Sequence, residues 1–335
     1  MKKVTIKDIA ALVGTSPKTV SKALNNKPGV SQELRQKIKE TAEKLNYVPN
    51  AFGRGLSGKP LRTIGIIIPE NSNPFYSFVL KGVEQQATEA GYAIILCNSN
   101  EDLEREQHLI QVLMGKHVDG MIISPAQPGI NHNIERLQRL KIPYTLINRT
   151  ISNQCHPCVK ARNADGAYLA GQYLIRKGHR NVVCLTRQYS VTAVEERLQG
   201  FRRAFEEQNI FFDEEGNVYR RCQDINVESA YVAMCSILKE RKNFSAVFAF
   251  NDIIAFGAMK AIQEYHLRIP YDIAVMGFDN IMFSDISLVP LTTVNQNLPE
   301  IGISAVEVLL QQIHGEFIGH YRLMPEPYIV ERKSV

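Results

Sequence analysis

From Arg62 onward the chain alternates between two textures. TIGIIIPE, YAIILCNS, DGMIIS, PYTLIN, NVVCLT, AVFAFND and IAVMGFDN are near-continuous apolar runs. Strands this apolar on successive positions are buried on both faces, as in parallel sheets covered by helices. Helical segments separate them at residues 75–90, 102–115, 131–141, 164–177, 194–209, 227–241, 252–265 and 299–314. The alternation specifies a doubly wound α/β fold. Two such halves, residues 62–161 and 162–290, are more than one sheet usually needs, so two lobes with a cleft between them are expected. Ligands in open α/β sheets collect at the carboxyl ends of strands, where that cleft would lie.

Residues 1–48 read differently, as three short helices. Thr5 and Asp8 approximate a capping box, and Ile6, Ile9, Ala10 and Val13 recur on one helical face before Gly14. Ser16 then caps a helix that opens on Pro17, where a missing N–H costs nothing. Val20, Ala23 and Leu24 face inward there, and Asn25 to Gly29 break the helix. Ser31 starts the third, with Leu34, Ile38, Ala42 and Leu45 inside. A short second helix after a tight Gly-containing turn describes a helix-turn-helix. Pro17, Lys18, Ser21 and Lys22 must then project outward, offering cations and hydrogen-bonding groups to a major groove; the alternative is an ordinary three-helix bundle with solvated lysines.

Charge follows the same division. Residues 1–60 hold ten Lys and two Arg against four acidic residues, a net charge of +8, whereas the remaining 275 residues carry −3. A basic head on a mildly acidic body implies a polyanionic partner, because neutralised phosphates release condensed counterions.

Between head and body lies FGRGLSGKP, residues 52–60, which partly matches both the G-x-G-x-x-G fingerprint and the G-x-x-x-x-G-K-[ST] phosphate loop. Either would have to follow a strand and open a helix. Here the glycines follow a helical bundle and precede the first strand, and Pro60 replaces the magnesium-ligating hydroxyl. A linker fits and a nucleotide site does not. The six cysteines are too dispersed for a disulfide scaffold. Cys155 and Cys158 form a C-x-x-C, but VKA after it reads as a strand, and no second ligand pair completes a zinc site. With no H-E-x-x-H and no G-x-S-x-G, no catalytic residue, metal or cofactor is expected, and the chain does not read as an enzyme. Asp8 and Lys7 interrupt the start before a signal core forms, and no run approaches a membrane span. The expectation is a cytoplasmic protein without a membrane partner.

VTIKDIAALVGTSPKTVSKALNNKPGVS, followed by LNYVPNAFGRGLSG and the alternating core, resembles the lactose-repressor (LacI/GalR) family of bacterial transcription regulators over residues 4 to about 333. The resemblance implies a helix-turn-helix headpiece (1–48), a hinge helix or linker (49–61), and a periplasmic-binding-protein-like core (62–335) for effector binding and dimerisation. The first lobe would comprise residues 62–161 plus 291–320, and the second 162–290 plus 321–333. It further implies base reading by Pro17, Lys18 and Lys22, with Thr5, Ser16, Thr19, Ser21 and Asn25 near phosphates. Asn50, Arg54 and Leu56 would serve the hinge on operator DNA, Leu56 as a minor-groove wedge. Lys22 stands where arginine is commoner, and lysine lacks the bidentate fork. No heptad extension follows Val335, so a homodimer is expected, a tetramer being the alternative.

In the core the same resemblance puts effector contacts at Asn73, Phe75, Tyr76, Asn148, Arg162, Arg197, Ile225, Asn251, Asp279 and Gln296. Arg197 and Asp279 suit vicinal hydroxyls, giving a sugar or polyol as the default ligand. Asn148 and Arg162 stand where the family often has Asp, which favours a sugar acid or sugar phosphate. The alternative is that Arg162 pairs with Asp279 or points out of the cleft. Gly53 and Gly55 also depart from the family, each costing a helix about 1 kcal/mol relative to Ala. Gly53→Ala is therefore expected to tighten operator binding by lowering the cost of ordering the hinge; a titration at fixed salt showing equal or weaker affinity would refute a helical hinge.

Overall fold

The computed structural model describes residues 4–47, 60–127, 131–151, 156–188, 191–213, 217–240, 243–316 and 321–335. The expected hinge residues Asn50, Arg54 and Leu56, together with Gly53 and Gly55, lie outside them. The chain divides into two compact units, Met1–Leu61 and Arg62–Val335.

In the first unit, α1 (Ile6–Val13), α2 (Pro17–Leu24) and α3 (Gln32–Lys44) follow the capping signals. The Asp8 carboxylate accepts from both the Thr5 N–H and its hydroxyl at 2.7 Å. Gly14 ends α1 with a left-handed φ of +75°. Ser16 accepts from the Thr19 N–H at 3.1 Å, and Ser31 from that of Leu34 at 3.3 Å. Ile9, Ala10, Val13, Val20, Ala23, Ile38 and Ala42 make the core. Arg35 of α3 clamps the end of α2, donating to the carbonyls of Ala23 at 3.0 Å and Lys27 at 2.6 Å. A cation on the last carbonyls of a helix satisfies acceptors that have no partner within it.

The second unit opens with β1 (Thr63–Ile68), α4 (Pro74–Glu89), β2 (Ala93–Asn98), α5 (Leu103–Gly115), β3 (Gly120–Ile123), α6 (His132–Arg139), β4 (Tyr144–Ile147) and β5 (Cys158–Lys160). It continues with α7 (Asn163–Arg176), β6 (Val182–Arg187), α8 (Thr192–Glu206), β7 (Val218–Cys222), α9 (Val227–Glu240), β8 (Ala246–Ala249), α10 (Asp252–Glu264), β9 (Ala274–Asp279), α11 (Phe283–Ile286) and β10 (Thr292–Asn295). The last elements are α12 (Leu298–Ile313), β11 (Tyr321–Leu323) and β12 (Tyr328–Val330). Among the described residues they form two six-stranded sheets, β11-β5-β4-β3-β1-β2 and β12-β10-β9-β8-β6-β7. The pairing is parallel throughout except β12, which runs antiparallel to β10.

The lobe boundaries differ from the expected ones. Thr292–Asn295 extends the second sheet, so the return to the first lobe falls after Asn295 and not at residue 291. Tyr321–Leu323 pairs with β5 in the first sheet, so the last crossing falls between β11 and β12 and not at residue 321. The reason is sheet pairing: β10 continues the parallel register of β9, and β11 completes the edge beside β5. Gly178 and His179 close α7 with a left-handed turn, their N–H groups donating to the carbonyls of Ile175 and Leu174 at 3.0 Å. Phe212 packs on Phe201 and Phe205, while its neighbour Phe211 is exposed. Among the described residues no helix is long and apolar enough to cross a membrane.

Several helix crossings bring backbones into contact. A Cβ on Gly200 of α8 would lie 1.9 Å from the Ala164 carbonyl oxygen of α7, and one on Gly302 of α12 would lie 2.0 Å from that of Val79 in α4. Exposed Gly115 faces open space. Gly200→Ala should destabilise the protein by about 3 kcal/mol through overpacking, and Gly115→Ala should leave it unchanged or stabilise it by up to about 1 kcal/mol. Urea midpoints of the two variants measured side by side check this; equal midpoints would contradict the crossing geometry.

Candidate functional site

On the headpiece, Thr5, Ser16, Pro17, Lys18 and Asn25 are exposed, and Thr19, Ser21 and Lys22 half-buried. Ser16, Pro17 and Lys18 form the start of α2, Asn25 caps its end, and Thr5 caps the start of α1. Several of their polar groups are already engaged: Ser16 and Thr19 share a hydroxyl contact at 2.9 Å, and the Asn25 amide donates to the Ser21 carbonyl at 2.8 Å. Lys18 and Lys22 carry the cationic character of this surface.

In the core a cavity of about 720 Å³ is lined from both lobes, within the usual span of about 300–1,000 Å³ for small-molecule sites. Its polar lining sits where parallel strands end. Asn73, Phe75 and Tyr76 follow β1, Asn148 and Arg149 follow β4, Arg187 ends β6, Asn251 follows β8, and Asp279 ends β9. Asn73 and Asn251 are also the caps of α4 and α10, accepting from the N–H groups of Phe75 at 3.0 Å and Ile254 at 2.8 Å. Two helix N-termini therefore border the cavity, and such ends favour partial or full negative charge.

Two charged clusters stand in this lining. In the second lobe, buried Arg197 bonds to the Phe250 carbonyl, to Asn163 Oδ1 at 3.0 Å and to Asp279 Oδ1 at 3.3 Å. Burial pushes the Asp279 carboxyl up to about 7, helped by the like charge of Asp252 and opposed by Arg197 and by the Gln296 amide. The second cluster spans the lobes. Glu101 accepts two hydrogen bonds from Arg187, at 2.9 and 2.6 Å, and also pairs with Arg149. Burial would raise Glu101, but the bonds from Arg187 and the charge of Arg149 outweigh it and hold the carboxyl at about 2. On the first-lobe wall, Tyr76 meets Ser124 at 2.9 Å, and the side-chain oxygen Oδ1 of Asn148 is buried without a partner.

Of the expected effector residues, Asn73, Phe75, Tyr76, Asn148, Arg197, Ile225, Asn251 and Asp279 line this cavity. Two do not. Arg162 pairs with Asp165 at 2.7 Å and Glu326 at 3.2 Å, so its charge is spent at the crossing between lobes. The expectation of an anionic ligand held by Arg162 is thereby corrected. Gln296 is buried behind Asp279, donating to Oδ1 at 2.6 Å. Sequence reading passed over Glu101, Arg149 and Arg187. Arg149 and Arg187 are polar residues at the end of an apolar strand run, the place where ligands of open α/β sheets collect. The Cys158 thiol is pushed up to about 12 by burial, and His156 is bonded to the Tyr144 hydroxyl at 2.7 Å, which makes both structural; Cys155 lies outside the described residues.

Known proteins share both units. A family model described as bacterial regulatory proteins, lacI family, matches residues 5–50, and one described as periplasmic binding proteins and sugar binding domain of LacI family matches residues 61–331. The transcriptional repressor PurR of Aliivibrio fischeri (strain MJ11) is 34% identical over 335 residues, covering 99% of this chain and 98% of that protein. A lac repressor dimer bound to operator and the anti-inducer ONPF is 26% identical with a TM-score of 0.89, covering 99% of both chains. A complex of the regulator CelR with cellobiose is 28% identical with a TM-score of 0.75, covering 99% of this chain and 100% of that one. With a helix-turn-helix headpiece, two doubly wound lobes and family matches over nearly its whole length, the chain belongs to the LacI family of bacterial regulatory proteins, and is a ligand-responsive, DNA-binding transcriptional regulator and not an enzyme.

Proposed function

We propose that the chain is a cytoplasmic repressor that binds a pseudo-palindromic operator as a homodimer and is controlled by a sugar, sugar acid or sugar phosphate in the interlobe cavity. The observation that carries this reading is the cavity itself. Its walls come from both lobes, so its ligand bears on lobe spacing, and its lining pairs hydrogen-bonding side chains with two helix N-termini. The cellobiose complex of CelR and the operator complex of the lac repressor support the assignment of the two units. On the headpiece, α2 with Pro17, Lys18 and Lys22 would enter the major groove, and Thr5, Ser16, Thr19, Ser21 and Asn25 would flank phosphates. Asn73, Tyr76, Asn148, Asn251 and Asp279 would hold the effector, while Gln296 positions Asp279.

Mobility shift with promoter-containing genomic fragments at two salt concentrations tests this. Lys18→Ala should weaken retention about tenfold or more, the cost of about 1–3 kcal/mol expected for a base contact. Asp279→Asn should retain DNA as the parent does but lose its response to sugars. Failure of the parent protein to retain any promoter fragment, with or without sugars, refutes the proposal.

A neutral polyol bound through Asp279 should depend on pH. The ionised carboxylate is the better acceptor, and with the group raised to about 7 its ionised fraction grows between pH 6 and 8. Binding should tighten on raising the pH across that window and flatten above it; calorimetric titrations showing the opposite slope would exclude Asp279 as the acceptor.

A further inference from the structure

We propose that Arg149 and Arg187 form an anion subsite of the effector cavity, and that Glu101 is its internal occupant, displaced by a ligand carboxylate or phosphate. The inference rests on the effector-cavity reading above and names the charge of the ligand.

The two arginines come from different lobes, yet their side chains are only 5% and 8% exposed, and both line the cavity. Each directs at least one guanidinium nitrogen to the same carboxylate. Arg149 is braced from behind, donating to the carbonyls of Pro125 at 3.1 Å and Ala126 at 3.3 Å. Glu106, also buried, acts on Arg149 through its charge. Its oxygens, however, are taken by the Ala126 N–H and the amides of Asn131 and Asn133. Among the described residues Glu101 is thus the one acidic side chain in contact with the pair. The Nε of Arg149 and that of Arg187 are both buried with no partner. A buried guanidinium with an idle donor is costly, and two sharing one carboxylate leave room for a richer acceptor.

Glu101 is suited to leaving. It stands in the loop between β2 and α5, one-third exposed, while both of its partners are buried and Arg149 is braced by two carbonyls. Asn100 and Glu101 occupy consecutive left-handed conformations, φ +54° and +58°, disfavoured for residues other than glycine. The loop backbone is tied by the Asn100 N–H to the Pro69 carbonyl at 2.9 Å, and the arginines hold only the Glu101 side chain, so a ligand anion that takes them over releases that side chain alone. A phosphate offers more oxygens and more charge than the carboxylate it replaces.

Isothermal titration of the full-length protein at fixed ionic strength tests the assignment with inorganic phosphate, ribose 5-phosphate, gluconate and ribose. Glu101→Gln should tighten inorganic phosphate at least about tenfold, and adding Arg187→Gln should remove the gain. Glu101→Ala should behave as Glu101→Gln does, which guards against a defect peculiar to one variant. The tighter of ribose 5-phosphate and gluconate identifies phosphate or carboxylate as the natural group, and ribose should respond to neither substitution. Phosphate binding no tighter in either Glu101 variant, or an equal gain for ribose, overturns the proposal. If that happens while the parent protein still retains promoter DNA, only the anion subsite falls; if the parent retains no DNA, the regulator reading falls with it.

Discussion

A buried cation dictates the second-lobe half of the cavity. Placing a guanidinium in an apolar interior is unfavourable unless its donors meet acceptors and its charge a counter-charge. Arg197 meets these demands with parts of four segments: Asn163 opening α7, the Phe250 carbonyl after β8, Asp279 ending β9, and its own helix α8. Its Cζ lies 3.9 Å from the centroid of the Phe278 ring, adding a cation–π contact. The relative placement of those strand ends is therefore set by one side chain. Arg197 is first of all a positioning group, and the hydroxyl-binding pair expected from the sequence satisfies itself before it meets a ligand.

The same logic recurs one layer below. Asp252 opens α10 wholly buried, accepting from the Ile281 N–H at 2.9 Å, the Ser284 hydroxyl at 2.7 Å and the Thr293 hydroxyl at 2.6 Å. Burial raises its carboxyl to about 6 while these bonds pull it down. It ties α10, the loop after β9 and β10 together, and a Cβ on Gly277 would lie 2.2 Å from its Oδ1. That close approach requires glycine in the middle of β9. With α10 and the strand beside it fixed, Asn251 can cap the helix with its oxygen and keep its amide for the cavity.

Much of this was legible in the sequence because it depends on period. Seven apolar runs marked seven strands, and the intervening helices fell within a few residues of their expected bounds, since helix and strand periodicities are local properties. VYRRC, the β7 edge strand, was missed because two arginines interrupt any apolar run there, whereas the part-exposed edge strand β2 keeps one in AIILC. The crossings were misplaced for another reason. Whether Thr292–Asn295 joins one lobe or the other is decided by its pairing with β9, which the four residues of the strand do not themselves announce. Eight of the ten family positions fall in the cavity lining, yet Arg162 was given a ligand when Asp165 and Glu326 were nearer. Glu101 and Arg187, 86 residues apart, could not be joined without the fold.

Among the described residues the polar contacts that cross between the lobes include Glu101 with Arg187, the Thr150 N–H with the Thr192 hydroxyl at 3.3 Å, and Lys160 with Glu196. They do not weigh equally. A neutral hydrogen bond contributes about 1 kcal/mol, and a part-exposed ion pair about the same or less. A bidentate pair with a buried guanidinium contributes more and is costly to break on one side only. The spacing of the lobes at the cavity mouth is therefore dominated by Glu101 and Arg187. An effector changes that spacing only through its differential affinity for the two lobe arrangements, and reversing a hundredfold bias takes about 5.5 kcal/mol. Contacts confined to one lobe leave the difference untouched. A ligand reaching both walls can supply it, and the place where the first-lobe and second-lobe walls already share a charge is where such a ligand has the greatest leverage.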